Sequence, residues 1–163
     1  YVASEKQDAI IVPLTSFNYL TSTEEQMACL NNMSNNLNSD GIAIVELLTP
    51  STFKGINNGH FSFVKSLYDN KSRYDYYRKT NYDDRTKTIL QQRIFYQYIN
   101  NRLVNIDCLR WANHYIDMKQ MCEMVDNSNM VVEQVYGDCD LSPYKKESPD
   151  AFLKLRKRRY GSS

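Results

Sequence analysis

The chain has five glycines in 163 residues, and no two of them form a G-x-G. None falls between an apolar strand and a helix, so the chain lacks the glycine-rich turn that cradles a phosphate or a nucleotide cofactor. Histidine is as scarce. His60 and His114 are the only two, and neither stands at ligand spacing with a cysteine, so no metal site is expected. Cys29, Cys108, Cys122 and Cys139 form no C-x-x-C pair. They read as buried free thiols in a reducing compartment, Cys29 and Cys122 on helices among apolar neighbours. A net charge of +1 gives no bulk reason for nucleic-acid or membrane binding. No apolar run approaches the ~18 residues of a membrane span, and the N-terminus carries no secretory signal pattern. These absences together predict a cytoplasmic protein. The length predicts one domain, long enough to bury a core.

What is present is concentrated between Gln7 and Leu48. Ala9 to Val12 is a short apolar run with branched side chains, the pattern of a strand buried on both faces of a parallel sheet. Pro13 ends it, because proline has no N–H for a ladder. Thr15 to Tyr19 is a polar loop. Met27, Leu30, Met33 and Leu37 then recur at helical spacing. The helix start is marked by a capping box, either Thr21 with Glu24 or Ser22 with Glu25. Ser39, Asp40 and Gly41 mark its end, with Gly41 as a left-handed cap. Ile42 to Leu48 is the second apolar strand. Two strands joined through a helix imply a right-handed parallel crossover.

Thr49 to Gly59 is rich in turn formers, and Phe61 to Tyr68 is either a short helix or a strand. Arg73 to Trp111 reads as an antiparallel meander: Tyr74 to Tyr82, Thr86 to Ile99, and Leu103 to about Tyr115. Asn100 and Asn101 form a two-residue turn, since asparagine tolerates positive φ. A helix from Met118 to about Val125 is capped by Asp117, with Gln120 completing the box. Met130 to Tyr136 is a strand, Gly137 to Asp150 a polar loop, and Ala151 to Leu155 a last strand. The basic residues Lys154 to Arg159 are too few and too terminal to predict nucleic-acid binding.

The segment QDAIIVPLTSFNYLTSTEEQMACLNNMSNNLNSDGIAIVEL resembles the fourth strand, following loop and helix, and fifth strand of class I S-adenosylmethionine-dependent methyltransferases. The helix Asp117 to Val125 with Met130 to Tyr136, and then VYGDCDLSPYKKESPDAFLKLRKR, are similar to the closing part of the small-molecule branch. The resemblance covers roughly 7–48 and 116–158. It implies an α/β fold: the C-terminal part of a Rossmann-like methyltransferase sheet, with 49–115 as an inserted antiparallel meander on the acceptor side, all within one partial domain, 1–163. It also implies methyl transfer from S-adenosyl-L-methionine to a small-molecule acceptor. The family's glycine-rich cofactor half comes earlier in sequence and has no counterpart here. The chain begins at Tyr1 and leads almost directly into an apolar strand. The expectation is therefore an acceptor-side half that relies on a second chain or segment for cofactor binding. The alternative is a non-catalytic, methyltransferase-like subunit or binding module.

By the same resemblance Leu14, Thr15, Ser16 and Phe17 line the methionine end of the cofactor, and Asn18 and Tyr19 face the methyl group and acceptor. In open parallel sheets ligands sit at the C-terminal strand ends, where this loop falls. The alternative is a polar loop that merely caps the helix. Arg93 and Arg110 are candidates for an acidic acceptor, or else pair with neighbours such as Asp107 or snorkel. The aromatic residues around Tyr76, Phe95 and Trp111 suit a cationic acceptor or simple cross-strand packing. Tyr136 and Asp138 border the acceptor side, and Gly137 serves the turn. His114 is a base or a hydrogen-bonded structural residue. No catalytic triad is expected, because methyl transfer rests mainly on bringing nucleophile and methyl into line.

Overall fold

Ser22 fixes the start of the first helix. Its Oγ accepts from the Glu25 N–H at 3.2 Å, and Glu25 Oε2 accepts from the Ser22 N–H at 3.2 Å. Of the two capping boxes open to the sequence, this is the one formed. The computed structural model describes residues 4–53 and 59–158. Its elements are β1 (Gln7–Val12), α1 (Thr23–Asn36), β2 (Leu37–Leu48), β3 (Ser62–Tyr68), β4 (Ser72–Asp83), β5 (Thr88–Ile99), β6 (Arg102–His114), α2 (Met118–Asp126), β7 (Met130–Tyr136) and β8 (Asp150–Lys157), with 3-10 turns at Ser16–Tyr19 and Pro50–Phe53. Phe61 to Tyr68, ambiguous in sequence, thus holds a strand. Asn100 and Asn101 both take positive φ, 49° and 60°, as a tight two-residue turn requires.

The strands form two sheets, β1-β2-β8-β7 and β3-β4-β5-β6. The chain divides into two compact units, Tyr1–Lys54 with His114–Ser163, and Gly55–Asn113. In the first, β1 and β2 run parallel, with Ala9, Ile10, Ile11 and Val12 opposite Ile42, Ala43, Ile44 and Val45. β8 lies antiparallel to both β2 and β7. β1, β2 and β7 therefore point the same way, and their C-terminal ends share one rim of the sheet.

One face of this sheet carries the core. Ala43, Val45 and Leu47 of β2 and Ala151, Leu153 and Leu155 of β8 cluster with Leu30 and Met33 of α1 and Met121, Met124 and Val125 of α2. These are the alternate residues that a strand places on one side. Both helices cover that side. α2 begins at Asp117, whose carboxylate accepts from the Gln120 N–H at 2.8 Å.

Four expectations are corrected. β1 is not buried on both faces: it is the sheet edge, no strand lies beyond it among the described residues, and Ile11 is 65% exposed. The reason is that helices cover only the face to which Ile10 and Val12 point. α1 ends at Asn36 and not at Gly41, because Leu37 already has extended dihedrals and opens β2. Gly41 is not a left-handed cap. A Cβ there would lie 2.9 Å from the Gln7 carbonyl oxygen and 3.0 Å from Leu37 Cδ2, so glycine is required by the close approach of β1 to β2. Finally, Cys108 and Cys139 are exposed rather than buried. The thiols of Cys29 and Cys122 are partly buried, and burial pushes both up from the ordinary cysteine range.

The last strand runs past Leu155 to Lys157 because its basic residues are used inside the sheet. Lys154 and Arg156 both pair with Glu133 of β7, each at 2.8 Å. The Arg158 guanidinium donates to the carbonyls of Asp126 and Met130. Arg159, the end of the basic run, lies outside the described residues.

Candidate active site

The loop after β1 holds two consecutive residues with positive φ. Leu14 and Thr15 both have φ of 54°. Consecutive left-handed conformations are costly for non-glycine residues, more so for a β-branched one, and persist only where the surroundings enforce them. Here four hydrogen bonds do so. The Leu14 N–H donates to Glu46 Oε2 of β2 at 2.7 Å. Ser16 donates to the Pro13 carbonyl through its N–H at 3.1 Å and its Oγ at 2.6 Å. The Asn18 N–H reaches the Thr15 carbonyl at 2.9 Å.

Asn18 is the anchor. Its side chain is fully buried. Nδ2 donates to the His114 carbonyl at 2.9 Å, and Oδ1 accepts from the Leu48 N–H at 2.9 Å. One amide thus ties the loop to the end of β2 and to the backbone at His114, all within the first unit. Phe17 is 1% exposed and belongs to the core cluster. These placements set two of the six loop residues apart from the rest. Phe17 and Asn18 face inward and hold the loop, because an aromatic ring and an amide with both ends satisfied are cheaper inside than out. Leu14 and Tyr19 face outward, 80% and 51% exposed. Thr15 and Ser16 complete the outer side of the turn.

The same rim carries a group of carboxylates. Glu46 pairs across β8 with Phe152, and Phe152 pairs with Tyr136 of β7, so Tyr136 stands level with Glu46. Asp150 opposes Leu48 at the next step. Burial, then the nearby charges of Glu46 and Asp138, push the Asp150 carboxyl above its ordinary range. Gly137 follows Tyr136. A Cβ on Gly137 would collide with Ser148 Oγ, and its N–H donates to the Ser142 carbonyl at 2.8 Å. The glycine therefore serves the turn.

Arg93 and Arg110 belong to the second unit, on β5 and β6. The Arg93 guanidinium lies over the Trp111 ring, 4.6 Å from its centroid, and 5.9 Å from that of Tyr76. Arg110 donates twice to the Gln92 side-chain oxygen, at 2.7 and 2.9 Å, in the amide orientation that satisfies both groups. Neither arginine pairs with Asp107, which accepts from Asn105 at 3.1 Å. The aromatic residues of this sheet pack on one another: Tyr76 stacks on Phe95, and Tyr77 meets Phe63 and Tyr96 edge-on.

Sequence reasoning missed Glu46 and Asp150. Both sit in or beside apolar strands, and only the strand pairing places them at the mouth of the loop. Among the described residues no cluster of side chains is arranged to hold a metal ion, and no helix is long and apolar enough to cross a membrane.

No protein-family model matches the chain, and no curated protein matches it in sequence. Solved structures do match it in shape. The CcbJ methyltransferase from Streptomyces caelestis superposes with a TM-score of 0.80 at 12% identity, over 98% of this chain and 60% of that one. An S-adenosylmethionine-dependent methyltransferase from Clostridium acetobutylicum gives 0.80 at 11% identity, over 98% and 61%. The sugar N-methyltransferase KedS8 from a Streptoalloteichus species gives 0.74 at 10% identity, over 98% and 59%. The chain spans about three-fifths of the length of these structures. With its strand order, parallel crossover and antiparallel last strand, the chain has the fold of the class I methyltransferases.

Proposed function

We propose that this chain is the acceptor-side half of an S-adenosylmethionine-dependent methyltransferase acting on a small molecule, and that a cofactor-binding half must join it. The reading is carried by one observation: the loop Pro13–Tyr19, with two left-handed residues pinned by Glu46 and Asn18, stands at the C-terminal end of a parallel strand pair. Ligands of open parallel sheets collect at that end, and strain held in place by its surroundings is frequent at ligand sites.

The residues present fit one end of the cofactor and not the whole of it. Leu14, Thr15 and Ser16 form the outer side of the turn and would contact the methionine end, while Phe17 supports them from the core. Nothing in the chain supplies a glycine-rich turn. S-adenosylmethionine, when bound, supplies an electrophilic methyl group. The protein's own task is to orient the acceptor and exclude water, which is where most of the acceleration of an in-line displacement arises. Tyr19 and Tyr136 are the outward or rim residues placed for that. Asn18 acts through the loop it anchors. Arg93 and Arg110 remain the proposed acceptor contacts of the second sheet.

The open side of β1 supports the need for another half. Its edge has no strand partner among the described residues, and Ile11 is exposed. A groove of about 670 Å³ lies beside it, lined by Ile10, Val12, Cys29 and Met33 among others. Exposed apolar edges of this kind are normally covered. A second reading, a non-catalytic subunit of the same fold, is favoured by Arg110, whose guanidinium donates twice to Gln92 of its own sheet, and by the Trp111 ring that lies against Arg93.

Calorimetry decides between them. The chain alone should not bind S-adenosylmethionine. Addition of a polypeptide carrying the glycine-rich half should produce binding, and radiolabelled methyl transfer to an acceptor panel should follow. Binding with no transfer to any acceptor would favour the non-catalytic subunit. Failure to bind although the two polypeptides associate would overturn both the cofactor and the half-enzyme reading.

A further inference from the structure

β6 is the outer strand of the second sheet, and no strand lies beyond it among the described residues. Its first nine residues, Arg102 to Arg110, are all exposed. They include Leu103, Val104, Ile106 and Leu109, each about half exposed at 49–54%. A long edge strand with apolar side chains on both faces is a ready template for another strand. Of the usual protections this edge has no proline and no lysine from 102 to 110; its charges are Arg102, Asp107 and Arg110.

The order of residues says which strand fits. Arg-Leu-Val-Asn-Ile-Asp-Cys-Leu-Arg is a chemical palindrome about Ile106. Leu103 mirrors Leu109, Val104 mirrors Cys108, Asn105 mirrors Asp107, and Arg102 mirrors Arg110. We propose that β6 pairs antiparallel with β6 of a second copy of this chain, about a two-fold axis at Ile106, joining two four-stranded sheets into one.

A two-fold axis normal to a continuous sheet keeps each face on its own side, so only residues of the same parity can stand opposite each other. That leaves registers centred on a single residue. Centred on Ile106, apolar groups meet apolar groups on both faces, and the Asn105 amide meets the partner's Asp107 carboxylate. In the single chain that amide donates to its own Asp107 at 3.1 Å. The neighbouring centres are worse. About Asn105, Leu103 would face the partner's Asp107. About Asp107, two carboxylates would face each other. About Val104, Arg102 would face the partner's Ile106, and about Cys108, Ile106 would face the partner's Arg110. Cross-strand pairs of this kind are the unit of sheet stability, and mismatched or like-charged pairs oppose it. The Arg102–Arg110 pairs at the two ends are the one unfavourable feature. They are exposed, and Arg110 is drawn toward Gln92 on its own sheet.

The proposal is independent of any methyltransferase activity. Sedimentation equilibrium of the full chain should show a mass that rises with concentration toward twice that of the chain. Ile106→Lys should remain at the single-chain mass with an unchanged circular dichroism spectrum, and should melt where the wild-type chain melts at high dilution. Val104→Cys, mildly oxidised, should give a disulfide to the partner's Cys108, identified by peptide mass mapping. Should that variant misfold, Ile106→Cys in a Cys108→Ser background should cross-link to itself across the axis. A chain that stays single at every concentration would overturn the proposal. So would a dimer indifferent to Ile106→Lys, or cross-links that form only through Cys139.

Discussion

Ile11 and Ile44 lie directly opposite each other on adjacent parallel strands. Their neighbours Ile10, Val12, Ala43 and Val45 turn to the face that the helices cover, and Ala43 and Val45 are fully buried. Ile11 and Ile44 turn to the other face, where Ile11 stays 65% exposed. The single pair therefore joins a parallel crossover to an uncovered surface beside it.

This pair gives the first prediction. Leu30→Ala, at a fully buried position in the core cluster, should destabilise the chain by ~2–5 kcal/mol in urea denaturation. Ile11→Ala should change the stability of the isolated chain by less than ~0.5 kcal/mol. When the proposed cofactor half is added, Ile11→Ala should weaken association, read by calorimetry.

Asn18 gives the second. Replacement by alanine removes the hydrogen bonds that the buried amide makes to the Leu48 N–H and the His114 carbonyl. The expected cost is ~2–3 kcal/mol. Amide exchange at Leu48 should accelerate more than exchange at residues of the second sheet. A uniform acceleration would mean that Asn18 is no local anchor.

Gly41 gives the third. Were it a helix cap with positive φ, replacement by asparagine would be tolerated. It stands instead close against the Gln7 carbonyl of β1, 2.9 Å from where its Cβ would lie. Gly41→Ala and Gly41→Asn should both destabilise, by ~1–3 kcal/mol, as other overpacked sites do. A neutral Gly41→Asn would contradict the close approach.

The fourth concerns pH. Hydrogen bonds from Lys154 and Arg156 hold the Glu133 carboxyl below its ordinary value. Its contribution is present above the unfolded value and is lost as pH falls through the folded one. Asp150 has the opposite sign. Its folded value is raised, so its favourable contribution is present below the unfolded value and is lost as pH rises through the folded one. Asp150→Asn should therefore raise the melting temperature at neutral pH, by less than about 2 °C, and leave it unchanged in acid. Glu133→Gln should lower it at neutral pH and become silent in acid. Thermal melts from pH 3 to pH 8 read both.

Local chemistry made much of this legible in the linear chain. Branched apolar runs, the Ser22 and Asp117 caps, and the Asn100–Asn101 turn placed most elements within a few residues, because each depends on neighbours close in sequence. Leu37 and Gly41 were misread for the same reason. Leu37 continues the helical spacing of α1, and only its pairing with Gln7 draws it into a strand. In the candidate site, the loop after Pro13 could be located, but not which of its side chains turn inward.

What the sequence determined by itself is the order of strands and helices outside Phe61–Tyr68 and the position of the loop between β1 and α1, since period and capping act over a few residues. Tertiary structure alone decided which face is covered, why Gly41 must be glycine, and that Glu46, Asn18 and His114 converge on one loop. Those facts depend on groups separated by tens of residues in the chain, and they exist only once the ends of β1 and β2 and the backbone at His114 have met within the first unit.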